Sequence, residues 1–192
     1  MQMFKNISEI ITNRLLKAEV IEYDDAEIYQ FGLEQLLAIV LNIATTIILG
    51  IIFNELWNSM VFVLSFMLLR TYAGGYHANT PSGCYLLTTA IIAAVLSVVK
   101  YVEINIIICA GLLLVSSAVI LILSPVESAN KPIDSIEHII YRKKTVAVWC
   151  IETIFAVISA ALGLNRIAIC IMASYVILGI SLIAGVIQSK IK

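Results

Sequence analysis

The chain has 192 residues, 61% hydrophobic and 13% charged, with a net charge of -1 and a mean hydropathy of +1.01. A soluble domain is apolar at about half of its positions and charged at about a quarter, so this composition excludes a soluble globular protein and indicates an all-α integral membrane protein. The near-zero charge excludes the basic field that nucleic-acid binding requires, and the length fits one polytopic domain, 1–192, with no sizeable second one.

The N-terminal stretch has neither a long apolar core nor a small-residue cleavage site, so a removable signal peptide is not expected. Phe4, Ile7, Ile11, Leu15 and Ala18 recur at three- and four-residue steps among Lys5, Glu9, Arg14 and Lys17, the period of an amphipathic helix. Such a helix can lie on the membrane surface or pack on the ends of the spans. Glu19, Glu22, Asp24, Asp25 and Glu27 then read as a solvated acidic linker, closing the N-terminal part at 1–27.

Six apolar segments follow within 28–188: Ile28 to Phe53, Leu56 to Leu69, Tyr85 to Val99, Ile104 to Leu123, Val146 to Leu164 and Ile167 to Ile187. Most approach the roughly 20 residues that cross a hydrocarbon core. The second and third offer only about 14 and 15 apolar residues, or roughly 21 to 23 Å of helix. They flank the polar stretch 70–84, so that loop is expected to sit recessed, covered by protein or lining a cavity.

Six spans place both ends of the chain on one side. Lys5, Arg14, Lys17, Arg70, Lys131, Arg142, Lys143, Lys144, Lys190 and Lys192 then share that side, leaving only Lys100 and Arg166 of the 12 basic residues on the other. By the positive-inside rule both termini and the 70–84 loop are expected in the cytoplasm, in a multi-pass protein of the cell membrane.

Cys109, Cys150 and Cys170 sit inside apolar runs, where a thiol packs as a small hydrophobe. Cys84 stands apart, at the boundary between "TPSG" and "YLLTTAIIAAV". With Ser82 or Gly83 as the cap, Cys84 falls in the first turn of a helix, whose positive end favours a thiolate. His77 precedes it by seven residues; in one continuous helix the pair would stand about 10.5 Å apart along the axis, too far for a Cys–His dyad. Gly74-Gly75 and the turn-forming Thr80-Pro81-Ser82-Gly83 supply a reversal. Two readings of His77 and Cys84 therefore stay open, a catalytic dyad and a structural pair at the membrane surface. Free N–H groups at the helix start are candidate oxyanion donors. Asn79, Ser82 and Glu34 are the candidates for orienting the histidine; Glu34 has two other roles open to it, solvation near the interface and a pairing with Arg70, of which the pairing is the one expected.

The polar block 124–145 contains Lys131, Arg142, Lys143 and Lys144. These residues suit either anionic lipid at a membrane face or an acidic segment of a peptide substrate. Ile136, Ile139 and Ile140 hint at a short interfacial helix there. His138 has no nucleophile nearby and reads as incidental. No CxxC or HxxxH spacing occurs, so neither a metal nor another cofactor is expected.

The order Arg70, Gly74-Gly75, His77 and then Cys84 at the mouth of an apolar segment resembles the AgrB family, the accessory gene regulator protein B of bacterial quorum sensing. The likeness extends over nearly the whole chain, in its length, surface-type N-terminal helix, six spans and basic loop. It implies a membrane cysteine endopeptidase acting on a small AgrD-like precursor peptide, with His77 and Cys84 as the catalytic pair and Arg70 and Gly75 in the same motif. It further implies a thioester on Cys84 that an internal Cys or Ser of the peptide opens to form a thiolactone or lactone autoinducer. A small transporter and a purely hydrolytic membrane protease are the competing readings, and a homodimer is the expected assembly.

Overall fold

The computed structural model describes residues 2–76, 80–126 and 134–191. Seven helices are found among them: α1 (Gln2–Lys17), α2 (Ala26–Ile52), α3 (Leu56–Ala73), α4 (Pro81–Tyr101), α5 (Ile106–Leu123), α6 (Ser135–Ala161) and α7 (Asn165–Ile191). Six of them, α2 to α7, are long and apolar enough to cross a membrane. The protein is thus an all-α, multi-pass membrane protein, as its composition requires.

The N-terminal helix packs on α2. It does so through small hydroxyl residues: Ser8 and Thr12 are buried, with Phe4, Ile7, Ile11 and Leu15 half-buried around them. The Ser8 hydroxyl donates to Glu34 Oε1 at 3.3 Å. Of the acidic residues that follow, Tyr23–Asp25 form a single 3-10 turn, and Glu27 joins the first turn of α2, where a carboxylate faces the positive end of the helix.

Three helix boundaries differ from the sequence reading. The third helix runs on to Ala73 through Arg70, and α4 begins at Pro81. At about 1.5 Å per residue both therefore reach roughly 27 Å or more, and the flanking spans are not short. Pro81 starts a helix instead of interrupting one, because its missing N–H falls where a helix leaves that donor unused. The polar block also divides. Its second half is the start of α6, capped by Asp134, whose carboxylate accepts from the Ser135 N–H while Glu137 reaches back. Ile136, Ile139, Ile140 and the basic residues Arg142 to Lys144 thus belong to one continuous helix with the span.

The most buried span is α7, packed against α3, α5 and α6, with α2 outside α3 and α4. Phe62, Ile92, Leu96, Cys109 and Cys170 fill one core cluster; Leu69, Ile120, Tyr175, Leu178 and Leu182 fill a second. Ile107, Ile108, Leu114 and Val115 of α5 face outward, an apolar surface suited to lipid chains. Cys150 is also exposed, unlike the packed thiol expected there.

Polar side chains within the spans join helices. Ser65 of α3 donates to Glu152 Oε2 of α6 at 2.6 Å and lies 2.6 Å from Ser174 of α7. At one end of the bundle Arg166 pairs with Glu55 at 2.7 Å, fixing the start of α7 to the start of α3. The opposite end carries the α3–α4 and α5–α6 connections, and there the candidate site lies.

Candidate functional site

The chain leaving α3 is threaded between two partners. Val126 N donates to Ala73 O at 2.9 Å, and Gly74 forms a parallel bridge with Val126. On the other side Tyr76 N donates to the Ser181 carbonyl of α7 at 2.9 Å and lies 3.1 Å from the Ser181 hydroxyl. Gly74 and Gly75 have φ values of 76° and 123°, a region that side chains disfavour. A Cβ on Gly75 would meet Ser181 Oγ at 2.7 Å, and one on Gly74 would overlap the Val126 carbonyl oxygen. Both glycines are thus required by backbone angle and by space.

Arg70, on the last turn of α3, is held by the same hub. Its Nη1 donates to Ser181 Oγ at 2.7 Å, its Nη2 donates to the Tyr76 carbonyl, and its guanidinium lies 5.5 Å from the Phe66 ring centroid. Glu34 faces α1 and Arg70 faces α7, so the pairing of these two does not form.

Cys84 occupies the fourth position of α4. The cap is Thr80, in place of the expected Ser82 or Gly83: its side chain accepts from Gly83 N at 3.2 Å, and its carbonyl accepts from Cys84 N at 3.0 Å. Ser82 is exposed in this turn, and its N–H is the donor of the turn left without an acceptor among the described residues. Tyr85 OH and Thr45 Oγ1, 2.7 Å apart, tie this end of α4 to α2.

Cys84 is half-buried and lines a cavity of about 460 Å³ together with Arg70, Tyr76 and Ser181. Arg70 and Cys84 are close enough to interact electrostatically. Tyr76 and Cys84, eight positions apart in sequence, line the same cavity. His77 and Asn79 lie outside the described residues, as does Lys131. No grouping of three or more His, Cys, Asp or Glu side chains suited to a metal occurs among the described residues.

The basic residues of α6 have distinct settings. Arg142 donates to Ser124 O at 2.6 Å and to Leu121 O at 2.8 Å, closing the carbonyl end of α5. The Lys144 ammonium lies 5.2 Å from the Tyr72 ring centroid, and Lys143 is exposed.

Sequence reasoning missed Ser181. A lone serine in an apolar run carries little signal, but Ser181 and Gly185 form a small-xxx-small pair, the pattern of close helix approach in membranes. Their faces do receive Gly75 and Tyr76.

A bundle of six spanning helices that carries a cysteine at a helix start, beside an anchored guanidinium and open to an intramembrane cavity, defines a polytopic membrane protein with a thiol site at one membrane face. The chain belongs to the accessory gene regulator B family, whose model matches residues 8–184. It is similar to two Clostridium perfringens proteins named for their likeness to AgrB. One, from strain 13, is 26% identical over 68% of this chain; the other, from strain SM101, is 27% identical over 68%. The matched stretch spans 64% of the length of each. A third AgrB-like protein, from Halalkalibacterium halodurans, is 24% identical over 48% of this chain and 47% of its own length. No solved structure matches.

Proposed function

We propose that the protein is a membrane cysteine endopeptidase that trims an AgrD-like precursor and retains the product end as a thioester, from which a cyclic quorum-sensing peptide forms. The observation that carries this reading is the meeting of Cys84, Arg70 and Tyr76 at one cavity. His77 follows Tyr76 directly in the sequence and is proposed as the base that serves Cys84.

In the proposed reaction His77 takes the Sγ proton of Cys84, and the sulfur attacks the scissile carbonyl. The new S–C bond places negative charge on the carbonyl oxygen, for which the Arg70 guanidinium and the Ser82 N–H are the available donors. The C–N bond then breaks, the tail amine leaves with the proton from His77, and the peptide stays on Cys84. A Cys or Ser side chain of the peptide displaces Cys84 to close the ring; water in its place gives hydrolysis. Asn79 is the remaining candidate for orienting His77, Glu34 being turned to α1, and Gly75 belongs to the segment that leads to it. Lys131, Lys143 and Lys144 are proposed to dock an acidic part of the precursor, Arg142 supporting them by tying α6 to the end of α5. The termini and this end of the bundle are proposed to face the cytoplasm, and the assembly is proposed to be a homodimer.

Co-expression with an AgrD-like precursor peptide, followed by mass, tests the reading. Cys84→Ala and His77→Ala are expected to abolish tail release; release that persists in both Cys84→Ala and Cys84→Ser overturns it.

A further inference from the structure

The cavity runs inward from Cys84 between α2, α3, α4 and α7, and its polarity is graded. Arg70, Tyr76, Ser181 and Cys84 gather at the mouth, while Phe62, Ile91 and Ile177 line the interior. The polar residues farther in are turned to their own helices: Asn42 Nδ2 donates to Ala38 O at 2.8 Å, and Thr46 Oγ1 donates to Asn42 O at 2.7 Å. Thr88 Oγ1 likewise donates to Cys84 O at 2.9 Å. A peptide backbone placed deep in the cavity would therefore leave its N–H groups largely unsatisfied, at a cost that a side chain of hydrocarbon does not incur. At about 460 Å³ the space falls within the roughly 300–1,000 Å³ of sites that enclose a small ligand.

We infer that this cavity is the subsite for the residue whose carbonyl is attacked, and that it takes a large aliphatic or aromatic side chain. The inference rests on Cys84 being the nucleophile, since an acyl group on Sγ is tethered at the mouth. From there Leu87, Thr88 and Ile91, one and two turns along α4, extend the lining inward. The scissile amide stays with the polar groups at the mouth, and the side chain descends. Holding the acyl group this way keeps hydrocarbon between the thioester and bulk water, which favours ring closure over hydrolysis.

The test uses alkylation, which does not depend on peptide cleavage. Purified full-length protein in lipid nanodiscs is treated with N-acetyl-leucine, N-acetyl-phenylalanine, N-acetyl-glycine and N-acetyl-aspartate chloromethyl ketones, and the adduct at Cys84 is timed by peptide mass mapping. Leucine and phenylalanine probes are expected to react at least about tenfold faster than the glycine probe, the effect of burying one large side chain, with the aspartate probe slowest. Ala184→Phe, which fills the lining, is expected to bring the leucine-to-glycine rate ratio towards one. Equal rates for all probes in the native protein, as when a lipid chain fills the space, overturn the subsite alone. A ratio unchanged by Ala184→Phe does the same. Absence of any adduct at Cys84 overturns the nucleophile as well.

Discussion

The hydroxyl of Ser181 stands 2.7 Å from Nη1 of Arg70, so the most buried helix of the bundle fixes a guanidinium that lines the same cavity as Cys84. Replacing Ser181 by alanine removes this bond and the contact of the hydroxyl with Tyr76 N, while the bond from Tyr76 N to the Ser181 carbonyl survives. A lost hydrogen bond to a charged group amounts to about 1.5–3 kcal/mol. Tail release by Ser181→Ala is therefore expected to fall roughly tenfold or more, with membrane insertion retained. Release at the native rate would show that Arg70 is held well enough by Tyr76 and Phe66.

Gly75→Ala is expected to lose tail release altogether, because the added Cβ meets Ser181 Oγ at a φ that costs alanine about 1–3 kcal/mol. Gly74→Ala meets rigid backbone at Val126 and is expected to lower the melting temperature in detergent further than Gly75→Ala. The reverse order of melting temperatures would contradict the packing described for this loop.

Glu152 shares its hydrogen bond with Ser65 inside the bundle. Glu152→Gln preserves the acceptor and the shape and is expected to leave thermal stability within about 1 kcal/mol, whereas Glu152→Leu leaves the Ser65 hydroxyl without that acceptor, a loss of about 1–3 kcal/mol. Chemical unfolding in mixed micelles distinguishes the two. Equal stability of both variants would mean that the hydroxyl finds another partner.

The basic residues of α6 are expected to separate by effect. Arg142→Gln opens the carbonyl end of α5 and is expected to lower the melting temperature. Lys143→Gln is expected to keep the melting temperature and reduce processing severalfold, the scale of one exposed charge contact. Unchanged processing would assign Lys143 to lipid.

Orientation is checked with single cysteines in a background lacking the native ones. Asn165→Cys is expected to react with an impermeant maleimide in intact cells, and Lys143→Cys only after the membrane is opened. Labelling of Lys143→Cys from outside would invert the proposed topology.

The spans were legible because a helix is the element that satisfies its backbone in hydrocarbon within one segment, which demands long apolar runs. Their ends were not, because helices continue past the apolar stretch once a cap is available. Pro81 reads as a breaker in the sequence but serves as the first residue of α4, and the charged start of α6 reads as a loop although Asp134 and Glu137 cap it. Within the site, Cys84 was distinguishable by its place at a helix start, and Gly75 by its neighbour Gly74. Ser181 was not, since its importance lies in contacts with residues more than a hundred positions away. The pairing expected between Glu34 and Arg70 failed for a related reason: opposite charges attract in a sequence reading, but helix faces decide which side chains can meet.

The bridge between Gly74 and Val126, together with the bonds from Arg142 to the end of α5, ties the ends of α3 and α5 and the first turns of α6 to one another. The start of α6 and the mouth at Cys84 consequently keep a set separation. If a precursor is gripped at the first and cut at the second, the protein acts as a gauge: the bond severed is chosen by how many residues of peptide bridge a fixed gap, as well as by the side chain that enters the cavity.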